Sequence, residues 1–187
     1  PKIEKQDVVI TESPPLFLGY SGYLISKRKR AKFVFNVSDL WPESAVKLGV
    51  LHNKILIKMS TWLEEFCYRK ADLVTGQTKG IVKNIVDRGF DRNKVQLITN
   101  GVDCDFFKPE NRSEDVRHKF NIDNKFAVCY AGIHGIAQGL EMIIKTANEL
   151  KEYKDISFVF VGEGPEKEKL VWMAKELGLD NVQFFPM

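Results

Sequence analysis

Two short glycine-rich segments carry the residue types that seat a phosphate. In the first, the apolar run Val128-Cys129-Tyr130-Ala131 leads into Gly132, His134, Gly135, Gln138 and Gly139, and a strongly amphipathic helical pattern follows. Glycine lets the main chain approach a ligand closely, and the free N–H groups and positive pole of a following helix favour an anion. In the second, residues 158–161 run into Gly162, Glu163, Gly164 and Pro165. Turns of this kind after neighbouring strands of one parallel sheet share a ligand crevice. The main-chain amides around His134 are therefore expected to receive a phosphate, with no cationic side chain beside them. His134 would donate to a phosphate or stack near a ring, and Glu163 would reach a ligand hydroxyl. Tight turns require the same glycines with no ligand at all, and a turn carboxylate is by default solvated, so the pattern alone leaves both readings open.

A second set of candidates lies upstream. Glu12-Ser13-Pro14-Pro15 is a stiff turn whose prolines delay any helix until Leu16. Asp39 and Glu43 stand four apart around Trp41 and Pro42. A polyol is held by carboxylates that accept from its hydroxyls while an indole covers an apolar ring face, and this segment offers both. A helix cap at Asp39 and a core position for Trp41 would account for the same residues. Gly76-Gln77-Thr78-Lys79 follows another strand and either caps a helix or meets a ligand. The chain has no Ser-His-Asp arrangement, no metal-ligand spacing and no Walker lysine, and Gly162-x-Gly164 lacks the third glycine of a dinucleotide fingerprint. No metal and no cofactor are expected.

The elements that must position these residues follow from periodicity. With 187 residues, 44% hydrophobic and 28% charged, the chain has the make-up of an ordinary globular protein. A formal charge of +3 is too small to argue for nucleic acid. Residues 1–111 carry 18 basic and 13 acidic side chains and residues 112–187 carry 10 and 12, so the two parts differ in sign and are suited to different partners. Three cysteines without Cys-x-x-Cys spacing (Cys67, Cys104, Cys129) predict reduced, structural thiols in a cytoplasmic protein. No apolar run approaches the roughly 20 residues needed to span a bilayer.

Strands are predicted at 7–11, 32–37, 73–75, 95–98, 127–131, 156–161 and 182–185, mostly continuous apolar runs of the kind covered on both faces. Helices are predicted at 16–29, 51–70, 79–88, 139–152 and 166–177, with a short turn after Pro42 and a short helix capped by Ser113. The alternation is that of α/β modules with parallel sheets. Thr78 is placed to cap a helix and Gly89 to stop it. Helix 51–70, with Ile55, Met59, Trp62, Leu63 and Phe66, is expected to pack in a core. The run Lys27-Arg28-Lys29-Arg30 either complements a helix dipole or meets an anionic membrane surface. Asn100, Gly101 and Asp103 form a turn, and the stretch from there to Ser113 shows no period. We read it as the boundary between domains at 1–108 and 109–187. A start at Pro1 and too few strands for either sheet predict an internal fragment with two incomplete doubly wound modules.

In this order, Ser13-Pro14-Pro15, Asp39-Leu40-Trp41-Pro42-Glu43-Ser44, Ala71-Asp72-Leu73-Val74, Asn100-Gly101-Val102-Asp103, the 132–139 turn and Val161-Gly162-Glu163-Gly164-Pro165 resemble successive landmarks of family-four glycosyltransferases with the GT-B fold. The wording is closest to the bacterial branch that builds O-antigen and capsule, including N-acetylfucosamine transferases, and the resemblance covers nearly the whole chain. It implies two Rossmann-like domains around a cleft, an acceptor side first and a nucleotide-sugar side second. It further implies transfer with retention from a nucleotide sugar, with UDP favoured, to a lipid-linked saccharide at the cytoplasmic membrane face.

By the same resemblance Gly132, His134, Gly135, Gln138 and Gly139 face the donor diphosphate, and Gly162, Glu163, Gly164 and Pro165 line the nucleotide pocket. Ser13, Pro14 and Trp41 belong to the acceptor side, Asp39 and Glu43 are the catalytic candidates there, and Asn100, Gly101 and Asp103 lead toward a hinge. The sequence departs from the pattern at three places. Ile133 and Gln138 stand where many relatives carry an arginine and a lysine, and Ser38 where many carry a histidine. The family's downstream pair of glutamates would fall beyond Met187. A non-catalytic sugar-nucleotide-binding module and a GT-B epimerase are the alternatives this leaves.

Overall fold

The alternation of apolar runs and helical periods becomes two parallel sheets in the computed structural model, which describes residues 4–108 and 113–186. The boundary stretch at 109–112 and the first and last residues lie outside these. The chain divides into units Pro1–Phe107 and Lys108–Met187.

In the first unit, β1 (Val8–Ser13), α1 (Phe17–Lys29), β2 (Lys32–Val37), α2 (Glu43–Lys47), α3 (Lys54–Lys70), β3 (Leu73–Gly76), α4 (Lys79–Asp87) and β4 (Val95–Leu97) follow in order. The strands are all parallel and lie in the order β1-β2-β3-β4. With the right-handed crossovers of βαβ units, sheet order equal to sequence order puts the connecting helices on one face. Phe33, Phe35 and Val37 of β2 and Val74 of β3 accordingly pack with Leu16, with Leu63 and Cys67 of α3, and with Val82 and Ile85 of α4. The other face carries no helix among the described residues. Val8 and Ile10 are 47% and 68% exposed there, so strands expected to be covered on both sides are covered on one, as in half of a doubly wound module.

Local chemistry sets the helix ends. The Asn53 side chain accepts from the Ile55 and Leu56 amides, which starts α3 at Lys54 rather than at 51. Thr78 caps α4 through the Ile81 amide, and Gly89 follows its end with φ +88°. Glu64, buried in α3, accepts from Tyr68 at 2.7 Å and pairs with Arg88 at 2.8 Å. Both carboxylate oxygens are satisfied, which a buried charge requires.

The second unit contains α5 (Glu114–Lys119), capped by Ser113, then β5 (Phe126–Ala131), a 3-10 turn (Ile136–Gln138), α6 (Glu141–Glu149), β6 (Ile156–Val161), α7 (Lys167–Glu176) and β7 (Val182–Phe185). Its parallel sheet runs β5-β6-β7. Leu140, Ile144 and Ala147 pack with Leu170 and Ala174 over Phe158 and Phe160. The α6 pattern is as predicted, but the helix starts at Glu141 because Gly139 adopts the left-handed conformation, φ +60°, after the 3-10 turn. All three cysteines are free. Cys67 is buried, and desolvation pushes its thiol pKa up to about 12, with the Glu64 carboxylate acting the same way. Cys104 and Cys129 are exposed, so a structural role fits Cys67 alone.

Candidate functional site

In the second unit the two glycine loops, after β5 and β6, are laced together by backbone hydrogen bonds. The Gly132 amide donates to the Val161 carbonyl at 2.9 Å, the His134 amide to Glu163 at 2.8 Å, and the Glu166 amide back to His134 at 2.9 Å. The Tyr130 hydroxyl holds the Ile133 carbonyl at 2.9 Å. This lacing needs glycine on the second loop. A Cβ at Gly164 would fall 2.6 Å from the carbonyl carbon and 2.7 Å from the amide nitrogen of His134, and one at Gly162 would run into the Gly132 carbonyl.

The amides of His134, Gln138 and Gly139 are therefore spent on the protein's own carbonyls, the last two on Gly135 at 3.2 Å and Ile136 at 3.3 Å. This corrects the expectation that the backbone around His134 and up to Gly139 waits for a ligand. The amides of Gly135, Ile136 and Ala137 have no acceptor among the described residues. They open the 3-10 turn that leads into α6, where the positive helix pole adds to their pull on an anion.

His134 is fully buried, with its ring beside those of Tyr130, Phe160 and Phe184 at centroid distances of 6.0 to 6.3 Å. Neither ring nitrogen has a hydrogen-bond partner among the described residues. The side chain thus props the loop from beneath rather than reaching outward. Desolvation lowers its pKa from 6.5, the Lys167 cation lowers it further, and the Glu163 carboxylate opposes them. Lys167, which no motif singles out, supplies a cation after all: its Nζ donates to the Gly162 carbonyl at 3.1 Å and to Glu163 at 2.6 Å. The spacing of four between Glu163 and Lys167 at a helix start is the signal for it in the sequence. Gln138 is exposed and its Oε1 folds over Gly135, 2.6 Å from where a Cβ would stand. Pro165 is exposed at the start of the α7 turn.

In the first unit the carboxyl ends of the strands gather polar side chains. Oε1 of Glu12 accepts from the Ser38 hydroxyl, from Gln77 Nε2 at 3.3 Å and from Asn36 Nδ2 at 3.4 Å. Gln77 also donates to Ser38 at 2.6 Å and accepts from Asn100 at 3.2 Å, and Thr75 donates to Asn36 at 2.7 Å. Glu12 Oε2 has no partner among the described residues, so three donors aim an exposed carboxylate that keeps one oxygen open. Parallel sheets place ligands at this edge.

The other predicted residues sit around this cluster with different duties. Ser13 is buried, which removes its side chain from direct contact and leaves Glu12, one position earlier, on the surface. Asp39 accepts from the Ser44 hydroxyl at 2.7 Å. Glu43 is held by Lys47 at 2.5 Å and Asn84 at 3.2 Å, and the Lys47 bond, more than any other influence, lowers its pKa. Both carboxylates thus brace the turn around α2. Trp41 packs partly against the core, and Pro14 lines an apolar groove with it. Asn100 joins the polar cluster; Asp103 closes its own turn by accepting from the Asp105 and Phe106 amides, and Gly101 is exposed beside it. Among the described residues no group of His, Cys, Asp and Glu is arranged to hold a metal ion.

Residues 3–101 match the family described as glycosyl transferase 4-like domain, and residues 112–187 match glycosyl transferases group 1. WcaI of Escherichia coli (strain K12), whose name assigns it to glycosyl transfer in colanic acid biosynthesis, is 26% identical over 98% of this chain and 46% of its own length. The sulfoquinovosyl transferase SQD2 of Arabidopsis thaliana is 30% identical over 62% of the chain and 22% of its own. The crystal structure of Anabaena Alr3699/HepE in complex with UDP-glucose superposes with a TM-score of 0.75 at 17% identity, covering 95% of this chain and 48% of that one. The chain therefore spans less than half the length of these relatives.

Proposed function

On the premise that this chain belongs to the glycosyl transferase 4-like family, we propose that the protein moves a sugar from a nucleotide-diphosphate sugar, with UDP favoured, to a lipid-linked saccharide. The transfer retains configuration and serves cell-surface polysaccharide assembly, such as O-antigen or capsule, at the cytoplasmic membrane face. The observation that carries the donor half is the set of open amides at Gly135, Ile136 and Ala137, which begin the 3-10 turn leading into α6. As the bond from the sugar C1 to the diphosphate breaks, its electron pair stays on the departing phosphate oxygen. Fixed N–H donors and the nearby Lys167 cation favour that charge more in the transition state than before it. The second glycine loop, with Gly162, Glu163, Gly164 and Pro165, holds the first in place and borders the nucleotide. HepE, crystallised with UDP-glucose, supports UDP as the donor nucleotide.

On the acceptor half, the open Oε2 of Glu12 accepts the hydroxyl proton of the incoming saccharide while that hydroxyl's oxygen bonds to C1 on the same face from which the diphosphate leaves, so that configuration is retained. Ser38, Gln77 and Asn36 aim that carboxylate, Trp41 and Pro14 offer an apolar wall, and Asp39 and Glu43 act by shaping the turn that carries Trp41.

Gly135→Val tests the donor half in the full-length protein. At this position φ is −108° and ψ 168°, which valine tolerates, and its Cβ meets only the mobile end of Gln138. The fold should survive while the branched side chain shields the amides. UDP-glucose affinity by calorimetry is expected to fall at least about tenfold; unchanged affinity would remove the amides from the donor site. A panel of UDP-, GDP- and dTDP-sugars on the wild type decides the nucleotide.

A further inference from the structure

Between α1 and α3 lies a groove of about 760 Å³ lined by Phe17, Tyr20, Ile55, Met59 and Trp62, with Lys54 and Lys58 at its rim. Phe17 is 77% exposed, Ile55 70%, Met59 61% and Trp62 59%. Helix α3 is expected from its sequence to bury its apolar residues in the core, yet only its second half does so, through Leu63, Cys67 and Tyr68. Exposed apolar residues scattered singly need no explanation, whereas a contiguous strip on two adjacent helices marks a contact surface.

The charges around the strip say what it contacts. Helix α1 contains no acidic residue and ends in Lys27, Arg28 and Lys29; α3 contains none from Lys54 to Leu63. At the far end of the strip Lys27 lies 5.6 Å from the Tyr23 ring and Lys70 6.0 Å from the Phe66 ring. Alkyl and aromatic groups framed by lysines match the boundary of an anionic bilayer. There Trp and Tyr rings settle at headgroup depth and lysine stems lie along apolar surface with their ammonium groups on phosphate. A second copy of the protein would fit worse, since a two-fold contact of this face with itself opposes lysine to lysine.

The strip also leads somewhere. A smaller groove of about 380 Å³, formed by Pro14, Pro15, Leu16, Phe17, Trp41 and Ser60, shares Phe17 and Ser60 with the first. It reaches the turn that directly follows Glu12. We infer that the α1–α3 face docks on an anionic lipid bilayer, with a lipid tail in the groove and its phosphate on Lys54 and Lys58, so that a lipid-borne saccharide arrives at the Glu12 cluster along the Phe17–Trp41 path. This rests on the function proposed above for what the lipid carries. It moves the membrane contact from the polybasic helix end alone to the whole face between two helices.

The full-length protein is tested by cosedimentation with vesicles of equal phosphatidylglycerol and phosphatidylcholine, and with phosphatidylcholine alone. Binding is expected to the anionic vesicles. Ile55→Asp with Met59→Asp should weaken it at least about tenfold by removing the apolar anchor. Lys54→Glu with Lys58→Glu should weaken it by more than that, since each lysine at such a surface contributes a factor of about five. Acyl-brominated lipid should quench tryptophan emission, and less so after Trp62→Phe. UDP-glucose affinity, measured on the same preparations, should stay within about twofold and reports that the variants are folded. Anionic-vesicle binding unaffected by the Asp pair would overturn the inference. So would a dimer that the pair dissociates, or a Met59→Cys thiol shielded from maleimide by the protein itself. If the wild type binds vesicles but no nucleotide sugar, the proposed function fails while the docking face stands.

Discussion

The two units put their polar chemistry at the same place, the carboxyl edge of a parallel sheet, and build it from different material. In the first unit side chains do the work: Glu12, Asn36, Ser38, Gln77 and Asn100 hold one another at the strand ends. In the second unit the backbone does it, with two glycine loops bonded to each other and the amides of Gly135, Ile136 and Ala137 without an acceptor among the described residues. A cluster of side groups can lose one member and keep its backbone, so it is free to change what it recognises. A backbone seat stands or falls with the loop's shape and suits a group common to many substrates, such as a diphosphate. The difference suits the division proposed above between a common donor group and a variable acceptor.

The comparison can be broken where the two materials should respond most differently. Gly164→Ala should be the most damaging single change, because its Cβ overlaps the backbone of His134 at a φ of +157° and neither loop can yield independently. A loss of about 3 kcal/mol in the unfolding free energy is expected, measured by urea denaturation, together with loss of UDP-glucose binding. If the variant keeps wild-type stability, the lacing does not define the seat. Glu12→Gln should leave stability within about 0.5 kcal/mol and lower kcat/KM for transfer by about a hundredfold with UDP-glucose affinity retained. A variant as active as the parent would remove Glu12 from the chemistry.

His134→Phe should have the smallest effect and the clearest pH signature. The folded imidazole titrates below its unfolded value of 6.5, so the folded state binds fewer protons than the unfolded one and stability is lost as pH falls from 6.5 through the folded pKa. In the variant, denaturation at pH 7.5 and 5.5 should differ less than in the parent. Donor affinity should change by no more than about twofold. An equal pH dependence in both proteins would place the titrating group elsewhere.

Periodicity made the elements legible, and residue chemistry made parts of the site legible. The strand at 156–161 and the caps at Thr78 and Ser113 follow from local rules that the tertiary structure respects. The direction of side chains was not legible. His134 looked like a ligand donor because it lies in a glycine turn, but the turn reverses over Phe160 and Phe184 and drives the ring inward. Ser13 is buried and Glu12 exposed because adjacent strand residues face opposite ways, and sequence alone does not say which face carries the helices. Likewise Ile55, Met59 and Trp62 keep helical spacing without meeting a core, since periodicity marks an apolar stripe and not what it touches. Lys167 was missed because its contact is to the preceding loop, three-dimensional information that the spacing to Glu163 only hints at.

The order of strands in the first sheet bears on how the protein acquires its shape during synthesis. Since β1, β2, β3 and β4 are neighbours in the same sequence in which they are translated, each newly made strand docks on an edge that already exists. Among these four strands no pair must open to admit a later one, and each loop closure spans only the segment between consecutive strands. These four strands can therefore be added one after another while the ribosome is still at work.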